Sequence, residues 1–271
     1  MHIDQLFSQL DEQRHAQGDN TPATLTVSRD WAQGRTLFGG LSASLAYRAI
    51  ENQLASPRML RSFNTSFIGP IYPEQPFTIE AEILREGRNA TQAVARIIQD
   101  GNTAVMCQAA FGVARPSKIA VQDRRKHNMM APAKANFIPQ IPKVTPKFLR
   151  HMDLAKCDGG WPFTGRKSHH VGGWMRFKKA PTKLTDAHLI ALIDAWPPTI
   201  LQMLKWPAPA STMSWNVEFI HPHRPMNPDN WFAYQASTRQ AADGYGHTEA
   251  DIYDSYGELV AISRQVVTVF D

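Results

Sequence analysis

The chain is poor in cysteine: Cys107 and Cys157 fall one in each half, and neither has a CxxC or metal-type partner, so neither a disulfide framework nor a cysteine-held metal is expected. No stretch of about 20 uninterrupted apolar residues is present to cross a bilayer. The start, Met1 to Phe7, carries an acid and lacks a basic segment leading into an apolar one; a secretory leader is not expected, and a cytoplasmic location is the default. Also missing are the G-x-S-x-G elbow of serine hydrolases, the G-x-G-x-x-G dinucleotide turn and the P-loop. There is no long basic block either. Lys and Arg number 29 against 24 acids, a net charge of +5, which suits an anionic small molecule better than nucleic acid.

What the chain does contain is a repeat. Ser62-Phe63-Asn64-Thr65-Ser66-Phe67-Ile68-Gly69-Pro70 returns as Ser214-Trp215-Asn216-Val217-Glu218-Phe219-Ile220-His221-Pro222, with Ser, Asn, Phe, Ile and Pro in register at a constant offset of 152. An amphipathic strand, a polar turn and a final apolar strand follow each copy. These are 90–100 and 103–113 in the first half, 246–255 and 259–270 in the second, where the offset has grown to 156. Two similar units are implied, and a ligand site is expected where they meet.

Hydrophobic spacing fills in the units. A short helix is expected over 2–12 and a strand over 24–28. From Leu41 to Leu54 apolar residues recur every three to four positions, a helix entered through Phe38-Gly39-Gly40. Strands follow at 59–68, 77–85, 90–99 and 103–113. The small residues Gly39, Gly40, Ser42, Ala43, Ser44 and Ala46 suit a helix enclosed by a sheet. The expected division is a first unit over 1–115, a proline-rich linker over 116–160 with a short helix near 146–154, and a second unit over 161–271. The second opens with a strand at 169–177 and a helical stretch from Thr185 to Ile193. Pro197-Pro198 interrupts it and Thr199 resumes it. Because proline is tolerated in a first helical turn, Asp194 reads as the N-cap of the second unit's main helix.

In that position Asp194 has an ordinary role, satisfying free backbone amides, and catalysis is the alternative. Gln265 lies on the same strand parity as Ala261, Ser263 and Val267, opposite Ala109 in the repeat. A buried amide needs a partner, so it is either a satisfied core group or a site residue. Thr212, just before the repeated segment, is by propensity an ordinary strand threonine. His169-His170 and His221-x-His223 lack a further ligand at metal spacing and read as loop histidines.

Taken together, Phe38-Gly39-Gly40, Ser62-Phe63-x-x-x-Phe67-x-x-Pro70, Leu84-Arg85-x-Gly87-Arg88, Asp194, Thr212, His223-Arg224-Pro225 with Trp231, and Gly257-x-Leu259-Val260-Ala261-x-x-x-Gln265 resemble the acyl-CoA thioesterase II (TesB-like) family. The resemblance covers most of the chain outside the linker. It departs at Arg61, where the family commonly has histidine, and at Asn64. It implies an α+β double hotdog fold, two antiparallel sheets each wrapping a long helix, and hydrolysis of fatty acyl-CoA without metal or organic cofactor. Further pairing of copies is compatible with it. It also carries the family's Asp, Thr and Gln onto Asp194, Thr212 and Gln265 as the holders of a hydrolytic water. Backbone N–H groups at Gly39 and Gly40 are the candidate oxyanion donors, since glycine lets substrate approach the backbone. A hotdog hydratase of 2-enoyl thioesters and a silent acyl-CoA-binding protein are the alternatives. The hydratase would want a histidine beside Asp194.

Overall fold

The computed structural model describes residues 1–17, 21–123, 125–132, 134 and 145–270. The first unit runs α1 (Ile3–Gln17), β1 (Ala23–Thr26), the short pair β2 (Ala32–Gln33) and β3 (Thr36–Leu37), α2 (Gly39–Glu51), β4 (Met59–Phe67), β5 (Pro76–Glu86), β6 (Ala90–Gln99) and β7 (Asn102–Gly112). The second runs β8 (Met152–Gly159), β9 (His170–Phe177), α3 (Asp186–Ile193), β10 (Ala210–Phe219), β11 (Phe232–Ala242), β12 (Tyr245–Tyr253) and β13 (Leu259–Val269). Alternation decides the strands: along β6, Thr91, Ala93, Ala95 and Ile97 are buried while their neighbours are less so, the pattern of a sheet with one covered face. In α2 every residue from Gly40 to Tyr47 is buried, so the helix is enclosed as its small side chains suggest. Part of 116–160, expected to join the halves, forms the edge strand β8; 133 and 135–144 lie outside the described residues.

Two expectations need correction. The sheets are not separate: eleven strands form one antiparallel sheet in the order β1-β5-β6-β7-β4-β10-β13-β12-β11-β9-β8. The halves join through β4 and β10, which are the repeated segments themselves. Ser66 pairs with Ser214, Asn64 with Asn216 and Ser62 with Glu218. Each repeat thus faces its own counterpart, a self-complementary contact of the kind a twofold axis generates. Asn216 Nδ2 donates to Asn64 Oδ1 at 2.8 Å at the centre. The physical reason is plain: left apart, β4 and β10 would each expose a row of unpaired backbone groups.

The second correction concerns the second unit's helix. It is short, α3 having eight residues, and Asp194 is at its C-terminal end with φ −81° and ψ −1°. Thr185 is the N-cap, in a box with His188. The segment after Pro198 is only a 3₁₀ turn, Thr199–Met203. α3 packs beside α2, with the Ser44 hydroxyl donating to the carbonyl of Ala187 at 2.7 Å.

Candidate functional site

The side chain of Asp194 does cap a helix, but one from the other half. It accepts a hydrogen bond from the backbone N–H of Gly40 in the first turn of α2, where free amides and the helix dipole favour a carboxylate. Phe38, the residue preceding α2, supplies no side-chain cap of its own. The approach is close enough to require glycine. A Cβ on Gly40 would lie 2.8 Å from Asp194 Cβ and 2.5 Å from the Phe38 ring. One on Gly39 would lie 3.1 Å from Asp194 Oδ2 and from the Phe67 ring.

Gln265 arrives from β13, facing inward as its parity indicates, and its Nε2 donates to Asp194 Oδ1 at 2.9 Å. This is the partner that a buried amide needs. Trp215, opposite Gln265 on β10, is buried and anchors to Ser263 Oγ at 2.8 Å. Thr212 comes to the same place through a bulge. Trp215, Val217 and Phe219 of β10 face the core, and strict alternation would turn Thr212 outward. Between Thr212 and Ser214 the register with β13 shifts by one residue, placing two β10 positions against one and restoring Thr212 to the inner side. Its hydroxyl has no hydrogen bond to the other described residues, and it lines the same cavity as Asp194 and Gln265.

That cavity has a volume of about 720 Å³ and is bounded by both halves. Gly39, Ser42 and Phe67 come from the first. Asp194, Trp196 and Leu201 come from the second, with Phe148 and Phe163 from the stretches around the expected linker. The aromatic wall was not visible in sequence. Its anchors are ring contacts, Phe38 stacked on Phe148 at 3.9 Å and Trp196 on Tyr234 at 5.7 Å, between segments that have no shared periodicity. Another concavity, about 1070 Å³, lies on the opposite face of the second half's sheet. It is larger but holds none of the candidate residues.

Enclosure decides the electrostatics. Burial pushes the Asp194 carboxyl up to about 7, against the hydrogen bonds from Gln265 and Gly40, which lower it. The residue retains some exposure, on the cavity side. A carboxyl poised near neutrality can take a proton from water and return it within one cycle. Tyr234 is raised by burial and, secondarily, by the Asp194 charge.

The repeat makes the site one-sided. The offset of 152 maps Thr212 onto Leu60, and that of 156 maps Gln265 onto Ala109; both are fully buried apolar residues.

The acyl-CoA thioesterase N-terminal domain matches residues 27–112 and the acyl-CoA thioesterase C-terminal domain matches residues 128–269. The chain belongs to the acyl-CoA thioesterase II family. Members of this family are thioester hydrolases of the hotdog fold. Acyl-CoA thioesterase 2 of Haemophilus influenzae is 24% identical, over 85% of this chain and 86% of that protein. Among solved structures, a hot dog fold protein of unknown function from Alicyclobacillus acidocaldarius superposes with a TM-score of 0.81 at 22% identity, over 93% of this chain and 94% of that one. The tesB protein of Mycobacterium avium subs paratuberculosis gives 0.75 at 18%, over 99% and 100%. Those structural likenesses show the fold. No described helix is long and apolar enough to cross a membrane.

Proposed function

We propose that this thioesterase hydrolyses fatty acyl-CoA to the free acid and CoA, with a water held by Asp194, Thr212 and Gln265. The observation that carries this reading is the Asp194–Gln265 pair, 2.9 Å apart, set on the glycines of α2 at the wall of a largely apolar cavity. One Gln265 N–H fixes the carboxylate, leaving its amide oxygen to accept from water, and the Thr212 hydroxyl offers a further contact. Water oxygen adds to the thioester carbonyl carbon while Asp194 takes the proton. The oxyanion forms at the first turn of α2. Gly40 N–H is committed to Asp194, so Gly39 N–H, which as the first helical amide has no acceptor within the helix, is the donor assigned to it. Collapse breaks the C–S bond, and the departing thiolate recovers the proton from Asp194. Acid and thiol leave with atoms and charge balanced.

The absence of histidine among the described cavity residues favours hydrolysis over enoyl hydration. Thiol release from a panel of acyl-CoAs, for wild type and Asp194→Asn, tests the assignment. Release should fall by about 10³-fold, in the range typical of a lost general base, while a non-hydrolysable thioether analogue still binds. Undiminished release in the variant would remove Asp194 from the mechanism, and binding without release in the wild type would favour the silent protein.

A further inference from the structure

The segment 160–166 forms one lip of the cavity and is tied to the turn that forms another. Phe163 N–H donates to the Leu201 carbonyl at 2.8 Å, Gly165 N–H to Leu204 at 2.9 Å and Arg166 N–H to Gln202 at 2.8 Å. Buried Gln202 reinforces this, accepting from Gly160 N–H and donating to the carbonyls of Thr199 and His170. The lip is held in an unusual shape, with φ of +62° at Phe163 and +65° at Gly165. A bulky residue in that region is strained, and such strain gathers where a surface has a task. The two tied segments line the cavity through Trp161, Phe163, Leu201 and Ala208.

Cations stand just beyond those lining residues. A Cβ on Gly165 would lie 2.9 Å from the Lys205 side chain, and one on Gly160 would lie 2.9 Å from that of Arg166, so the two cations flank one short loop. Both are exposed, and neither enters an ion pair among the described residues. Asp158, two positions before Gly160, is already paired with His170 at 3.1 Å. Beside Lys205, the Trp206 ring is 80% exposed, a large amphipathic surface with no cover.

We infer that Arg166 and Lys205, with Trp206, bind the phosphorylated nucleotide end of the substrate: the cations take phosphate groups and the indole takes the purine face, while the thioester lies at Asp194. This rests on the proposed thioesterase reading and adds to it a requirement. The enzyme recognises its thioester by the nucleotide as well as by the acyl chain, and a pantetheine thioester lacking that nucleotide bypasses the lip. Guanidinium and ammonium groups on an open rim suit polyanionic phosphate, and their attraction weakens with salt.

The test compares an S-acyl-CoA with the matching S-acylpantetheine, for wild type and the double variant Arg166→Gln/Lys205→Gln. KM for the CoA thioester should rise about tenfold, as expected for lost charge-assisted contacts, with kcat unchanged and both constants for the pantetheine thioester unchanged. Adenosine 3′,5′-bisphosphate should compete with the CoA thioester in wild type and lose that ability in the variant. Equal losses on both substrates, or equal inhibition of both proteins, overturns the assignment. If wild type hydrolyses neither substrate, the thioesterase reading has failed instead. Calorimetry with adenosine 3′,5′-bisphosphate then decides the lip alone, with wild-type binding that the double variant loses supporting the nucleotide site and any other result rejecting it.

Discussion

Replacing Asp194 by asparagine is expected to stabilise the protein at neutral and alkaline pH while abolishing its activity. The carboxyl is carried from an ordinary aspartate value of 3.8 to about 7 by burial, against the opposing hydrogen bonds of Gln265 and Gly40. Below about pH 4 the folded and unfolded states both hold the proton, and the carboxyl contributes no difference. As pH rises the unfolded chain releases it first, so the native state loses stability up to about 7 and remains at that deficit above. At 1.36 kcal/mol per pH unit the deficit is at most about 4 kcal/mol. Water reaching the carboxylate through the cavity raises the local dielectric and reduces this to roughly 2 kcal/mol. Asparagine keeps an oxygen for Gln265 and Gly40 and carries no charge to desolvate. Urea unfolding of wild type and Asp194→Asn at pH 5 and pH 8 measures the effect, since other titrating groups are shared and cancel. The advantage of the variant should grow by about 1 to 2 kcal/mol between the two pH values. A difference that does not vary with pH would refute the raised carboxyl, and a variant less stable at pH 8 would show the ionised pair to be net favourable.

The same carboxyl must be ionised to act as base, so log kcat/KM for an acyl-CoA should climb with pH and level off near about 7; a profile flat from pH 5 to 8 would contradict it. Gly40→Ala places a methyl 2.8 Å from Asp194 Cβ and 2.5 Å from the Phe38 ring. It should cost about 1 to 3 kcal/mol of stability by overpacking and more than tenfold in kcat, read by thermal melts and thiol release. Thr212→Val keeps the shape and removes the hydroxyl, so kcat should fall about tenfold with the melting temperature little changed; equal activity would make Thr212 an ordinary strand residue.

Much of the first unit was legible because its strands alternate cleanly: the expected 59–68, 90–99 and 103–113 differ by only a residue or so from β4, β6 and β7. Helix α2 was readable from its apolar spacing, expected over 41–54 and found over Gly39–Glu51, and its small residues pointed to its enclosure. The seam was not, because alternation identifies a strand and which face it buries but says nothing of which strand lies beside it. Asp194 was misplaced on its helix for a specific reason. Pro197-Pro198 can open a helix, and one turn does follow Pro198, but the longer helix lies upstream, capped by Thr185 and His188 instead of the common Ser/Thr with Glu or Gln. The inward parity of Gln265 was readable, whereas that of Thr212 depends on a bulge that no residue type announces.

That bulge bears on how one of the two halves came to hold the candidate chemistry. β4 carries the same irregularity, between Leu60 and Ser62, so Leu60 and Thr212 occupy matching positions on matching backbones. The kink is therefore a property of the repeated unit, lying where β4 pairs with β7 and where β10 pairs with β13, just outside the regular β4–β10 register, and it is kept with leucine in one copy and threonine in the other. Side chains answer to a different constraint. A hydroxyl or amide turned into an enclosed space without partners costs about 1 to 3 kcal/mol, and a carboxylate more. Leucine at 60 and alanine at 109 avoid that cost, and both are fully buried. Glutamine at 265 is paired with Asp194, and threonine at 212 opens onto the cavity. Symmetric backbone with asymmetric polarity is what selection would leave if both copies must pair and only one, as proposed, must hold the hydrolytic water. On this basis Leu60→Thr with Ala109→Gln should destabilise the fold and add no second turnover site.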